Sequence, residues 1–439
     1  MVSLPFSKKK QYLTGMDWIV HGFDYMIRRS TGAGNMFQIA LELDGMPEEE
    51  ELRDSLDRLM RKFPVLGGRP RRDYNLAPYW AIPRRSRQKA VPVDVFHLEK
   101  GEDISSVLER EINKPFGSER EHLAFQLIRG EGRNFAAATF DHRLFDAHGG
   151  EAFLRMFQQE WEGEGVCSEE ALFRQPAHLS QWRKKFEAGK QVNRAFLRLA
   201  ENAPPRVIPW DTASSKQGFK FNIISFSEQQ SREIMDRADA EAGYLMAMPY
   251  TMAVAVQSLH KVFANRGIDT GDYVIPVTVD NRPRCKTSPG VFFNNVSLML
   301  FRIQAHEVED FSILLKSIKE QMYDQVKAGL PQDIWEASFL LRIVPLPVLS
   351  YLLRVYLKGE VASFCFSFVR EADQMPTHFM GNRILHSYQI PRVPVPPGLG
   401  VFFHQCQGRL NVYLSCTQGL LRQDERAAIM DAVRRQLGG

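Results

Sequence analysis

The amino-acid sequence predicts a mixed α/β protein built as two lobes. Three observations carry that reading. The chain has 439 residues, more than one hydrophobic core usually fills. Hydrophobic stretches of period two and of period 3.6 occur in both halves. Between them lies ENAPPRVIPWDTASSKQGFK, a proline-rich run without periodicity at residues 201–220. The expected division is an N-terminal lobe of residues 1–200, a connection over 201–220 and a C-terminal lobe of 221–439.

The elements follow in order. Phe37, Ile39, Leu41 and Leu43 alternate with Gln38, Ala40, Glu42 and Asp44, the pattern of a strand with one buried face. Gly45-Met46-Pro47 turns the chain. Pro47 and the acids Glu48 to Glu51 then open a helix, where a missing N–H is harmless and negative charge suits the dipole. Leu52, Leu56, Leu59, Met60 and Phe63 form its inward stripe, and Pro64 stops it. Residues 134–140, NFAAATF, read as a buried strand of small residues. The stretch FDHRLFDAHGG follows as a loop, and a helix starts near His148 with Phe153, Leu154, Phe157 and Trp161 inward. In the second half, helices are expected near 228–241, 250–265 and 310–328. Strands are expected at 273–280, 296–302, 364–369, 401–406 and 410–416, and a last helix buries Ile429, Val433 and Leu437. The most apolar segment, 337–357, contains Arg342, Pro345, Pro347 and Arg354, which a bilayer span tolerates poorly. It reads as a buried helical hairpin or as an apolar lid touching lipid, so any membrane contact is peripheral.

Composition narrows the function classes. With 44% hydrophobic and 25% charged residues, the chain is an ordinary globular protein rather than a disordered one. Its five cysteines (Cys167, Cys285, Cys365, Cys406, Cys416) are odd in number and form no CxxC pair. They fit reduced thiols better than a disulfide framework or zinc site. The opening MVSLPFSKKKQYLTG lacks an apolar core long enough for a signal peptide, so a cytoplasmic location is expected. A net charge of +4 is too mild to argue for nucleic acid. Arg61, Lys62, Arg69, Arg71, Arg72, Arg84, Arg85, Arg87 and Lys89 nevertheless crowd one region, either a solvated basic face or a landing site for phosphates or an acidic carrier protein. Aromatic residues are not interleaved with them, and nucleic acid is not an expected partner.

The loop FDHRLFDAHGG places an imidazole, His142, four residues before a carboxylate, Asp146. Such a spacing is weak alone: 11 histidines give roughly 0.6 matches by chance. A second match, His306 and Asp310 in QAHEVEDF, lies in an acidic polar stretch before a helix and reads as a solvated loop and N-cap. Context separates the two. An apolar strand delivers His142, and the small residues Ala147, Gly149 and Gly150 let backbone or ligand approach. Asp146 can turn inward and fix the loop through hydrogen bonds without touching the imidazole. No GxSxG elbow, P-loop, GxGxxG or HExxH occurs. His142, Asp146 and His148 could supply metal ligands, but Glu151 would have to join from a helix start, and no metal is expected.

FDHRLFDAHGG resembles the (H)HxxxDG signature of the chloramphenicol-acetyltransferase-like superfamily, which includes BAHD acyltransferases, condensation domains of peptide synthetases and wax ester synthases. VTVDNRPRCKTSPGVFFNN, residues 277–295, is similar to the D-x-R-x-R … P-x-x-F-x-N run of the BAHD group and the G-x-F-x-N motif of condensation domains. LTGMD and LELDGMPEEEELRDSLDRLMRKFPVLGGR resemble the first strand and helix of these proteins. The matches span most of the chain in the expected order. Asp141 stands where many members carry a first histidine, one that BAHD members also lack, and Ala147 replaces the usual glycine. The DFGWG run is absent. SFCFSFVREA, residues 363–372, resembles the family's "vSN" strand with Phe368 in place of Asn.

The resemblance implies two lobes of similar topology meeting at a tunnel, with acyl donor and acceptor entering from opposite faces and His142 as general base at the middle. Asp146 would pair with Arg282, Arg284 being the rival, and tie the histidine loop to the second lobe. An exposed loop arginine is the plain alternative for Arg282. Asn294 fixes the turn or faces the tunnel, and Ser367 donates to an oxyanion or is an ordinary strand serine. The expected activity is acyl transfer from an acyl-CoA or acyl-carrier-protein thioester to an alcohol or amine acceptor by direct attack, with no bound cofactor. An apolar segment and many phenylalanines hint at a lipid-like substrate, although phenylalanine more often builds core. Pairing of the lobes within the chain would permit a monomer. No carrier or adenylation segment accompanies the motifs, so a stand-alone enzyme is expected. A degenerate member serving as a scaffold for a carrier protein or other partner is the second reading, and a metal-dependent hydrolase the third.

Overall fold

The structure, a computed structural model, describes residues 10–83, 89–99, 101–130, 132–164, 181–200, 204–209, 218–282, 290–370 and 375–438. Two six-stranded sheets form the centres of two lobes. In the first, the order is His378–Phe379, Asn382–Pro391, Met36–Leu43, Asn134–Asp141, Leu123–Arg129 and Val93–His97. In the second it is Val296–Ile303, Tyr273–Asp280, Cys365–Val369, Leu399–Cys406, Arg409–Thr417 and Phe219–Ser225. A third sheet of three short strands pairs Lys10–Tyr12, Pro78–Ala81 and Arg69–Arg72, and buries Trp80 against the first lobe.

The strand expected around residues 37–43 pairs antiparallel with the strand that delivers the histidine, Met36 opposite Asp141 and Leu43 opposite Asn134. Its neighbour helix runs Glu49–Lys62, two residues after Pro47, and buries Leu52, Leu56, Leu59 and Met60. Phe63 is also buried, and Pro64 opens a short 3-10 turn where the helix stops. The helix after the histidine loop spans Ala147–Trp161 with Phe153, Leu154 and Phe157 in the core. Further on, Phe311–Ala328 begins at Asp310, whose carboxylate accepts from the Ser312 and Ile313 N–H groups. The second HxxxD match is therefore an N-cap. The apolar segment forms two short helices, Leu330–Leu341 and Leu346–Val355. Both pack on the helix Gly15–Thr31, and the first also on Trp182–Ala200, rather than closing on each other as the expected hairpin. Phe339 and Leu349 are buried, while Val348, Tyr351 and Val355 are exposed. No helix among the described residues is long and apolar enough to cross a membrane.

The first lobe draws on the second half of the chain. Asn382–Pro391, more than 300 residues from its partner, adds to the first sheet beside Met36–Leu43. Val291, Phe292 and Phe293 leave the second lobe and bury themselves in the first lobe's core beside Phe63, Phe145 and Phe153. A separate apolar cluster, including Met36, Ala137, Phe219, Ile390 and Tyr413, packs where the lobes meet. In the expected connection, Pro205 bridges to Asp272 and the Arg206 N–H donates to the Asp272 carbonyl. Residues 201–203 and 210–217 lie outside the described residues.

Candidate active site

The strand Asn134–Asp141 ends in a tight turn, with the Leu144 and Phe145 N–H groups donating to the Asp141 carbonyl. His142 sits in this turn. Its N–H donates to the Asn35 carbonyl at 2.9 Å, and its own carbonyl accepts from Asn294 Nδ2 at 3.0 Å. The ring meets Phe37 edge-on at 5.4 Å between centroids. Nδ1 is buried with no hydrogen-bond partner among the described residues, while the ring lines a large cavity. Nε2 is thus the nitrogen presented to a ligand.

Asp146 points away from the imidazole. It is the N-cap of the helix Ala147–Trp161 and accepts the Gly149 N–H at 2.8 Å. The same carboxylate takes Arg282 Nη2 at 2.6 Å and the Asn295 N–H at 2.9 Å, both from the second half of the chain. Burial alone would raise its pKa; the guanidinium charge and these hydrogen bonds outweigh burial and hold it below the usual carboxylate range. Arg282 is mostly buried, its side chain 10% exposed, and it also donates to Asp280 at 3.0 Å and to the Gly290 carbonyl at 3.0 Å. Arg284 lies outside the described residues.

The segment from Gly290 to Asn295 clamps the turn from the other side. The Phe293 N–H donates to the Leu144 carbonyl at 2.6 Å, making a parallel bridge between Phe145 and Phe293. Phe293 is held at a φ of 69°, a left-handed conformation costly for a bulky side chain, and its burial in the first lobe offsets that cost. Asn294 is fully enclosed: its N–H donates to Asp17 Oδ1 at 2.8 Å while its side chain holds the His142 carbonyl. The close approach explains the glycines. A Cβ at Gly149 would lie 2.6 Å from the Val291 carbonyl oxygen, and one at Gly150 would lie 2.8 Å from the Phe37 ring. Ala147, by contrast, faces the cavity, half-buried, and its methyl group is accommodated.

Ser367 lies on the strand Cys365–Val369 opposite Phe402 and lines the same cavity. Period-two alternation puts it on the face of Cys365, which packs on the cluster between the lobes. Phe368 takes the other face and packs on the second lobe's core. The structure therefore brings His142, Asp146, Arg282, Asn294 and Ser367 to one cavity of about 910 Å³. Both sheets contribute to it, as do the helices Gly15–Thr31, Trp182–Ala200, Leu330–Leu341 and Leu346–Val355, mostly through aliphatic side chains.

Sequence reasoning missed a second set of residues. Asp141, completely buried, accepts from His122 Nδ1 at 2.8 Å and from the Arg143 guanidinium at 2.6 Å. His122 also contacts the Gly68 carbonyl at 2.8 Å. Burial would raise the Asp141 pKa, but Arg143 and His122 hold it well below the ordinary value. This charge cluster braces the strand end from which His142 hangs. Its one sequence signal is the acid at Asp141 in an otherwise apolar strand.

No family model matches the chain, and no curated protein matches it. Solved structures do. The first condensation domain of the calcium-dependent antibiotic synthetase, bound to a substrate analogue, superposes with a TM-score of 0.69 at 15% identity, covering 98% of this chain and 96% of that one. A trichothecene 15-O-acetyltransferase from Fusarium sporotrichioides gives 0.68 at 11%, covering 98% and 94%. Polyketide synthase associated protein 5 from Mycobacterium tuberculosis gives 0.64 at 14%, covering 99% and 98%. The fold is the chloramphenicol-acetyltransferase-like one. This is the fold class expected from the motifs, shared across nearly the whole length with condensation domains and an acetyltransferase.

Proposed function

We propose that the chain is an acyltransferase that moves an acyl group from a coenzyme A or carrier-protein thioester to an alcohol or amine, with His142 as general base. One observation carries this reading: His142 offers a single ring nitrogen to a cavity walled by both lobes, while Asp146 and Arg282 hold its turn rigid. An imidazole placed there can remove the acceptor's proton as the new bond forms, a contribution of ~10²–10⁴ in rate. Attack is direct. Cys365 is the cavity's cysteine among the described residues, and burial pushes its thiol up to about 12, leaving it protonated and a poor nucleophile at neutral pH. Ser367 and nearby N–H groups are the candidates for the oxyanion.

The aliphatic walls favour an apolar acyl chain or acceptor, consistent with a lipid-like substrate. Of the basic residues that could meet an acidic carrier, Lys62 pairs with Glu160 at 2.6 Å and Lys89 with Glu121 at 3.3 Å. Arg72 caps the Ile343 and Val344 carbonyls. Arg84, Arg85 and Arg87 lie outside the described residues. Arg61 and Arg71 are exposed on this face, so either thioester donor fits the reading. The test is thiol release from a panel of acyl-CoAs with and without added alcohols and amines. Acceptor-dependent release supports the enzyme. No release from any donor, with stable capture of an acyl carrier protein instead, would support the scaffold reading.

A further inference from the structure

A second carboxylate, Glu151, stands beside the cavity and is not used by the mechanism above. It lies one turn into the helix Ala147–Trp161 and is 1% exposed. Its carboxylate takes three contacts: His148 Nδ1 at 3.1 Å, His404 Nε2 at 3.0 Å and Gln389 Nε2 at 2.9 Å. His404 belongs to the second sheet, and Gln389 to the strand Asn382–Pro391 of the first. All three partners line the cavity that holds His142.

The two histidines of this loop are thus set up differently. His142 Nδ1 has no partner among the described residues, whereas His148 Nδ1 is held by a carboxylate. Burial disfavours a charged His148, but the hydrogen bond and charge of Glu151 outweigh it and raise the pKa above the ordinary histidine value. Burial likewise opposes ionisation of Glu151, yet His148 and His404 hold its pKa down to about 2. The carboxylate that fixes Nδ1 favours the protonated form of His148, the form able to donate a proton. With Nδ1 committed, Nε2 is the nitrogen His148 can offer. Its side chain keeps 22% of its surface exposed, at the cavity. Glu151 reaches the second sheet through His404 and its own lobe's sheet through Gln389, so His148 is not needed to tie the lobes.

We propose that His148, positioned by Glu151, is the general acid of the transfer, an assignment that rests on the acyltransferase reading. His142 Nε2 takes the proton from the acceptor's O–H or N–H as its lone pair bonds to the thioester carbon. The carbonyl pair moves onto oxygen. On collapse that pair reforms C=O, the C–S bond breaks, and its electrons leave with sulfur. His148 Nε2–H then protonates the thiolate. The products are an ester or amide and a free thiol. His142 ends protonated and His148 neutral, and one proton passes between them through water before the next turnover.

Leaving-group dependence tests this. One acyl group is supplied as its coenzyme A thioester, an alkyl thiolate leaving group, and as an aryl thioester, whose thiolate departs without protonation. His148→Gln should lose ~10²-fold or more with acyl-CoA and less than ~10-fold with the aryl donor, because a good leaving group needs no acid. His142→Ala should lose heavily with both. An unchanged melting temperature for His148→Gln would show that folding is not the cause. Equal losses with the two donors, or no loss with either, would overturn the acid role while leaving His142 as base. A wild-type protein inert to both donors would remove the acyltransferase reading, and this assignment with it.

Discussion

Replacing Asp146 with asparagine probes how the lobes hold the histidine turn. The carboxylate accepts from Arg282, the Gly149 N–H and the Asn295 N–H. An amide keeps one oxygen for these donors and turns an NH₂ group against the remainder. Removing one partner of a buried pair costs ~3–5 kcal/mol, and the lower end applies because Asp280 still faces Arg282. Unfolding entropy of ~2.1 cal/mol/K per residue gives roughly 0.9 kcal/mol/K for the chain, so a loss of about 3 kcal/mol lowers Tm by ~3 °C if the lobes melt together. The acid limb adds a second signature. Folding depresses the Asp146 pKa, so its contribution is present above the unfolded value of ~3.9 and is lost as pH falls through the lower folded value. The gap in Tm between wild type and Asp146→Asn should therefore be full at pH 7 and shrink below about pH 4. Calorimetric melts across that range are the assay. Equal melting temperatures at pH 7, or a gap that does not change in acid, would refute the lobe-tying argument.

Three more outcomes follow from the same geometry. Gly149→Ala should destabilise by ~1–3 kcal/mol, read from the urea midpoint, because its Cβ meets the Val291 carbonyl backbone. Asn294→Ala frees the His142 carbonyl and should lower kcat by ~10-fold, with a smaller change in KM because Asn294 is one of many residues lining the cavity. Ala337→Phe narrows the aliphatic cavity, so kcat/KM should fall by ~10-fold or more for long acyl chains and little for short ones in a chain-length series.

What the sequence revealed and what it hid have physical reasons. The helix at 49–62 was legible because its apolar residues form one stripe, and the strand leading to His142 because its small and apolar residues run unbroken. The strand at 37–43 was found by its alternation, but the single buried face expected there is corrected by the structure, which buries both faces and pairs Gln38 with Thr139. The helix Gly15–Thr31 was not read. It is buried on most sides, including Trp18, Ile19, Val20, His21 and Asp24, and shows no narrow apolar stripe. Trp182–Ala200 escaped for the opposite reason: it buries little beyond Lys185, Ala188 and Leu199 and gives Phe186, Val192 and Phe196 to the cavity wall. The place of Asn382–Pro391 in the first sheet depends on a partner more than 300 residues away, which no local pattern encodes. At the site, His142, Asp146 and Arg282 were found through spacing and resemblance. The brace of His122, Asp141 and Arg143, and the Glu151 cluster, join residues from separate elements and leave no spacing to recognise.

The most direct test is a comparison of two histidines that share the same spacing to an aspartate. Thioester turnover by His142→Ala, measured beside His306→Ala and wild type under one set of conditions, should fall ~10²–10⁴-fold for the first and stay level for the second, with all three melting alike. Equal turnover in the three proteins would contradict the central claim that this cavity-facing imidazole moves the acceptor's proton.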